Sequence, residues 1–326
     1  MRDISNRIRI EKQTISALKL LASLFRYTSL QSASPHMLCF LLLAFLAHAT
    51  PITCQNILQQ RLNIIILAGQ SNMAGRGGVS NDTATGIPRW DGDVPPQCQP
   101  NPSIFKLSAD MAWVEAREPI HADIDVKKTN GIGPGMAFAN AVLTKDPNIG
   151  LVGLVPCAIG GTNISEWQKG EFLYEQLVRR ARLALQSGAG FKAMLWYQGE
   201  TDTIHKQDVE LYGGRLKRFF QDLRSDLQAP MLPIFQVDIA SGQGAYVEEV
   251  REAQLKIGLP NVKNVEAKGL PLEADGLHLT TPAQVRLGEM LADAFLQLNT
   301  NHSPPNFVPC FFIIPQVFWI IFCFRH

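Results

Sequence analysis

Short aliphatic runs recur along the middle of the chain, each followed by small or polar residues and then by a stretch with helical spacing. Asn63–Leu67 reads NIIIL and ends at Ala68-Gly69; Gly150–Val155 (GLVGLV), Ala193–Tyr197 (AMLWY), Leu232–Val237 (LPIFQV) and Val262–Glu266 repeat the pattern. Unbroken apolar runs of this length suit strands of a parallel sheet, which are covered on both faces. Between them, Leu173, Leu177, Ala181 and Leu185 recur every fourth residue, with Gly188 as a stop, and Leu216, Phe219, Phe220, Leu223 and Leu227 form a second stripe. The spacing predicts a last helix that opens at Thr281-Pro282-Ala283-Gln284, read as a capping box with proline in the first turn. That helix is expected to bury Val285, Leu287, Met290, Leu291, Ala294, Phe295 and Leu298. Five strands alternating with helices predict an α/β domain with a mostly parallel five-stranded sheet and helices on both faces. Residues 76–132, rich in Pro, Gly and Asp, read as a long insertion after the first strand, and insertions of that length tend to be functional.

The two ends follow a different pattern. Met37–Ala47 is an uninterrupted apolar run of about ten residues, too short for a membrane hydrocarbon core of ~30 Å, and small residues follow it. It reads as the core of a signal peptide, 37–50, within a leader of residues 1–54; the competing reading is a buried helix, and Met37 offers a second start. After a linker at 301–306, Phe307–Phe324 is almost wholly apolar but contains Pro309 and Pro315. A tail anchor, a lipid-anchor signal and a read-through sequence stay open for this segment, 301–326, which leaves 55–300 as the working domain. The leader implies the secretory pathway, with membrane-anchored or cytoplasmic protein as the alternatives. Asn81, Asn163 and Asn301 begin glycosylation sequons, which support export weakly.

The formal charge of +1 is a cancellation between these regions. Residues 1–36 carry six basic and two acidic groups (+4), 307–326 one basic group (+1), and 37–306 hold 23 basic against 27 acidic (−4). An acidic body argues against nucleic acid as a partner, because phosphate recognition wants clustered Lys and Arg on the folded part. Six cysteines show no CxxC spacing and no histidine cluster, so no metal site is expected. Of the three in the body, Cys54, Cys98 and Cys157, two could pair and one is left over.

In a sheet of this kind the site forms beyond the carboxyl ends of the strands. The first strand is followed by Gly69-Gln70-Ser71-Asn72-Met73, which sets one hydroxyl near a helix start, where backbone N–H groups favour developing negative charge. The same pair would also serve as an ordinary helix cap. The second strand leads to Gly160-Gly161-Thr162-Asn163, where paired glycines let amides approach a ligand, and the third to Gln198-Gly199-Glu200. Seven histidines reduce to three in the body: His121 in the insertion, with a solvated or rim role by default, His205, which can line a cleft, and His278. In Asp275-Gly276-Leu277-His278 the spacing lets the carboxylate reach Nδ1–H and leaves Nε2 free to take a proton from a hydroxyl. Together with Ser71 this makes a nucleophile, base and orienter. Trp167 and Trp196 are candidates for stacking on a sugar, with core packing as the alternative. There is no GxSxG, GxxxxGK[ST] or HExxH, and no GxGxxG opening a helix after a strand.

Five blocks then occur in order: Gly69–Met73, Gly133–Ala139 (GPGMAFA), Gly160–Thr162, Trp196–Glu200 (WYQGE) and Asp275–His278. Over roughly 60–298 they resemble the plant-type carbohydrate esterases of the sialate O-acetylesterase-like branch of the SGNH hydrolase superfamily. The resemblance implies a three-layer α/β/α flavodoxin-like fold and a serine esterase that removes O-acetyl groups from carbohydrate without a cofactor. It implies Ser71 as nucleophile, His278 as base and Asp275 as its orienter, with the Ser71 and Gly161 N–H groups and the Gln198 side chain as the oxyanion hole. In the wider superfamily an Asn commonly supplies that side-chain donor, and Asn163 lies close by. A GDSL-type lipid or short-chain esterase and a non-catalytic carbohydrate-binding protein are the alternatives. The expected partner is an acetylated carbohydrate or other small ester, with a membrane only if the tail is an anchor.

Overall fold

The eight residues Leu62–Gly69 (β1) are almost all sealed from water, and every other part of the fold is arranged around them. The structure, a computed structural model, describes residues 62–185 and 190–300. The leader with its signal-peptide-like run, Cys54, and the linker and tail at 301–326 lie outside the described residues.

After β1 the chain forms a single helical turn, Ser71–Ala74 (α1), then an antiparallel hairpin of Val79–Asn81 (β2) and Pro88–Trp90 (β3). Ile104–Leu107 (β4) and Trp113–Glu115 (β5) follow, then helix Pro134–Lys145 (α2) and Leu151–Pro156 (β6). The remainder alternates: Phe172–Leu185 (α3), Gly190–Tyr197 (β7), Lys206–Asp226 (α4), Ile234–Asp238 (β8), Val247–Leu255 (α5), Val262–Glu266 (β9) and Thr281–Thr300 (α6).

The sheet order is β5-β4-β6-β1-β7-β8-β9, with every neighbouring pair parallel except β4–β5. This is an α/β fold with a mainly parallel sheet, and it has seven strands where the sequence pattern predicts five. The five predicted strands are all present. The two extra ones come from the segment read as an insertion, which extends the sheet at one edge. Their physical disguise is brevity: β4 has four residues with a half-buried middle, and β5 has three, none fully buried.

The helices follow the apolar stripes. In α4 the predicted Leu216, Phe219, Phe220 and Leu223 are all buried, as is Leu227 just past its end, and the helix begins well before them at Lys206. Pro134 sits in the first turn of α2, where its missing N–H costs nothing. Helices α2 and α6 cross closely enough that a Cβ on Gly288 would lie 2.6 Å from the Pro134 carbonyl. Trp167 and Trp196 are fully buried and meet edge-to-face at 5.2 Å, so both are core residues and neither is a platform for sugar. Cys98 and Cys157 are buried free thiols.

Candidate active site

Strand β1 has β6 on one side and β7 on the other, so the turns leaving three strands converge where β1 ends. The β1–β6 ladder continues past the strands: Cys157 N–H donates to Leu67 O at 2.8 Å and Ile159 N–H to Gly69 O at 3.0 Å. That register carries Gly160 and Gly161 to the flank of Ser71. On the other side Gln70 N–H donates to Tyr197 O at 2.8 Å. The approach of β7 is so close that a Cβ on Gly69, whose φ is +128°, would lie 2.0 Å from Tyr197 O.

Ser71 opens α1 and is 4% exposed. Its Oγ lies 2.9 Å from His278 Nε2, and His278 Nδ1 lies 2.6 Å from Asp275 Oδ2. With a carboxylate facing Nδ1, that nitrogen carries the proton and Nε2 is the acceptor for the Ser71 hydroxyl. Asp275 Oδ1 also accepts the N–H groups of Leu277 and His278, each at 2.9 Å. Burial alone would raise the Asp275 pKa, but these two amides and the histidine ring outweigh it and hold the carboxyl below its ordinary value. The loop is closed at its base by Glu273 N–H on His278 O at 2.7 Å and by the Leu272–Leu279 bridge.

Asn72 ties this loop to the turn of Ser71. Its Oδ1 accepts Leu279 N–H at 2.9 Å, and its Nδ2 donates to Leu277 O at 3.3 Å and to Glu200 Oε1 at 2.8 Å. Gln284, expected to complete a capping box, instead donates to Asn72 O at 3.1 Å, and Thr280 takes the cap position by accepting Ala283 N–H at 3.3 Å. A residue read as helix chemistry thus supports the turn of Ser71.

The oxyanion candidates divide. The Ser71 and Gly161 N–H groups have no acceptor among the described residues. Gln198 is different: it is fully buried, and its Nε2 donates to Asp202 Oδ2 at 2.5 Å and to Thr162 O at 3.0 Å. The two amide hydrogens of Gln198, expected as an oxyanion donor, are thus held by a carboxylate and a carbonyl. Asn163 accepts Ser165 N–H at 3.0 Å and forms a capping box with Glu166 over a short turn.

Two further carboxyls lie under the site. Glu200 and Asp202 are fully buried, and burial pushes each of them up to about 7, against the hydrogen bonds of Asn72 and Gln198 respectively. Arg76 and Asp125 form a buried ion pair of 2.5 Å beside Gly160. For Glu200, Arg76 and Asp125 the sequence offers no local signal, since Glu200 meets Asn72 across 128 residues and Arg76 meets Asp125 across 49. Of the other histidines, His205 is exposed at the start of α4. His121, expected at a solvated rim, is 1% exposed, is bonded to the Leu67 backbone, and is held down to about 3 by burial, so it is a neutral core residue. Among the described residues no group of His, Cys, Asp or Glu is arranged to hold a metal ion.

Comparison with known proteins shows the family and the fold. The family model "Carbohydrate esterase, sialic acid-specific acetylesterase" matches residues 61–297. A probable carbohydrate esterase of Arabidopsis thaliana is 55% identical over 234 residues, covering 72% of this chain and 90% of that protein. A crystal structure of an Arabidopsis thaliana protein is similar with a TM-score of 0.70 and 54% identity, over 72% of this chain and 98% of that one. The fold is also shared with NanS (TM-score 0.57, 18% identity, 74% of this chain and 98% of that one). It is shared again with a carbohydrate acetylesterase from Xanthomonas citri (TM-score 0.52, 19% identity, 74% and 57%).

Proposed function

The chain belongs to the family of carbohydrate esterases described as sialic acid-specific acetylesterases, and on that premise we propose that it removes O-acetyl groups from a carbohydrate through a Ser71–His278–Asp275 acyl-enzyme cycle. The observation that carries the proposal is the unbroken line from Ser71 Oγ to His278 Nε2, 2.9 Å, and from Nδ1 to Asp275, 2.6 Å, at the carboxyl end of the central strand.

In this reading Ser71 Oγ attacks the acetyl carbonyl carbon while His278 Nε2 takes the hydroxyl proton. The carbonyl oxygen becomes an oxyanion and is met by the N–H groups of Ser71 and Gly161. The C–O bond to the sugar breaks, and His278 gives its proton to the departing alkoxide. Water then attacks the acetyl-Ser71 ester with His278 as base again, releasing acetate and the free serine. Asp275 keeps the imidazole in the tautomer that can accept and stabilises it while charged. Gln198 supports the site from below by holding Thr162. The reading includes export through the secretory pathway, supported by the apolar run at 37–47 and the small residues after it.

The test is acetate release from acetylated sugars by wild type and by Ser71→Ala, with labelling by a serine-directed phosphonate. The expected result is release and labelling in wild type and neither in Ser71→Ala. Activity at the wild-type level in Ser71→Ala would overturn the nucleophile, and a strong preference for long acyl esters would overturn the acetyl-carbohydrate substrate.

A further inference from the structure

The insertion at 76–132 supplies Asp125, and its carboxylate reaches across to the turn that follows β6. Asp125 Oδ2 accepts Arg76 Nη2 at 2.5 Å and Gly160 N–H at 3.2 Å, and it is 2% exposed. Arg76 is equally enclosed. Its Nη1 donates to Gly75 O at 2.7 Å and Asn130 Oδ1 at 2.9 Å, while Asn130 Nδ2 returns to Asp125 O at 3.0 Å. The group is therefore a closed ring of bonds. One oxygen of it is spent on a backbone amide of the neighbouring turn.

That amide is next to the one the acetyl site needs. The position a Cβ would take on Gly160 is 2.4 Å from Arg76 Nη2, 3.1 Å from Asp125 Oδ2 and 3.4 Å from the Ser71 Cβ. Gly160 thus packs between the ion pair and the nucleophile with no room for a side chain. Two other bonds hold the far end of the same turn: Asp202 accepts Ile164 N–H at 3.1 Å, and Gln198 holds Thr162 O at 3.0 Å. Between these anchors, Gly161 N–H is left without an acceptor among the described residues. A glycine turn free to rotate would not keep one N–H aimed at a developing charge, and preorganisation of that donor is what lowers the barrier.

We propose that Asp125, its charge balanced by Arg76, is a positioning residue for the oxyanion hole. By taking Gly160 N–H it fixes that peptide and turns the following Gly161 N–H toward the acetyl oxygen. A bare carboxylate so close to the oxyanion would oppose the reaction, and Arg76 removes that opposition while holding Asp125 in place. The proposal rests on the acyl-enzyme reading, with Gly161 as a donor.

The experiment uses the full chain with p-nitrophenyl acetate, and follows kcat, KM and the rate at which a phosphonate labels Ser71. Asp125→Ala is expected to lower kcat about 10²-fold, the cost of a misplaced group, with KM nearly unchanged and labelling slowed in parallel. Asp125→Asn retains an oxygen that can accept Gly160 N–H and should recover most of the loss. A part that only braces the fold would lower the melting temperature and leave the kcat of the folded enzyme alone. If Asp125→Ala does not fold, the double variant Arg76→Met/Asp125→Leu, which leaves no unpaired charge, should show the same kcat loss. Wild-type kcat in the folded variant, or a loss expressed in KM, overturns the positioning role. Full activity in Ser71→Ala would instead overturn the acyl-enzyme reading, and this proposal with it.

Discussion

Asn72 donates to Glu200 at 2.8 Å across 128 residues of sequence, with both side chains fully withdrawn from water. The bond links the turn after β1 to the turn after β7. Because Asn72 also holds Leu277 O and Leu279 N–H, it grips the chain on either side of His278. The distance between Ser71 and His278 is therefore set by the residue next to Ser71, through the hydrogen bonds of its side-chain amide rather than through the surface loop itself.

Asn72→Ala removes three of these bonds at once. Leu279 N–H and one Glu200 oxygen lose their partners in a buried place, each at a cost of about 1–3 kcal/mol. The His278 loop loses its register with Ser71, and a shift near 1 Å in such a pair costs about 10²-fold in rate. Thermal melts and acetate release should both fall. Asn72→Asp keeps the shape but sets a second carboxyl against Glu200, so its stability deficit should grow as pH rises.

Stability should decline from mildly acidic to neutral pH. Glu200 and Asp202 hold their protons up to about 7 in the folded protein, mainly through burial, against ordinary values of 4.5 and 3.8. As pH rises from about 4 to 7 the unfolded chain releases protons that the folded chain keeps, so the folded state loses ground over that window and little more above it. Glu118, raised to about 8, and Asp238, raised to about 6, act in the same direction, again chiefly through burial. Melting temperatures from pH 4.5 to 8 should fall, and Glu200→Gln should flatten the fall. An unchanged slope in Glu200→Gln would locate the effect elsewhere.

The parts of this molecule legible in the sequence are those whose signal is local. The run NIIIL has only one stable place, the middle of a covered sheet, and Asp275 and His278 are close enough in sequence to meet within one turn. Strands β4 and β5 escaped because four and three residues of mixed polarity carry no period to count. Gln198 is at the expected strand end, but residue type does not tell which way a side chain donates, and a buried carboxylate four residues on captured it. Arg76 and Asp125 lie 49 residues apart and Asn72 and Glu200 128 apart, separations at which sequence spacing holds no geometric information.

Asp275 is the most exposed member of the proposed Ser71–His278–Asp275 line, with 49% of its side chain open to solvent. Part of its work is structural, since the same carboxylate accepts the Leu277 and His278 amides. Asp275→Asn keeps an oxygen for those amides but removes the charge that fixes the imidazole tautomer, and kcat should fall between about 10² and 10⁴-fold with KM little changed. Asp275→Ala should add a loss of stability from the loosened loop. Combining either with Ser71→Ala should cost little beyond Ser71→Ala alone, because the groups act as a unit.

Adjacent glycines in the oxyanion turn should respond differently to one methyl group. At Gly161 a Cβ meets nothing within 4 Å, and the only obstacle is a φ of +78°, a left-handed backbone that costs an alanine about 1–2 kcal/mol. At Gly160 the backbone has no such strain, but the Cβ would stand 2.4 Å from Arg76 Nη2. A surface arginine would swing aside. This one is held by Asp125, Asn130 and Gly75 O, so making room means breaking a buried ion pair. Gly160→Ala should therefore destabilise more than Gly161→Ala and should also lower kcat, since the displaced pair releases the Gly160 amide. Melting curves and kcat for the two single variants check this directly, and equal behaviour of the two would mean that Arg76 is not fixed.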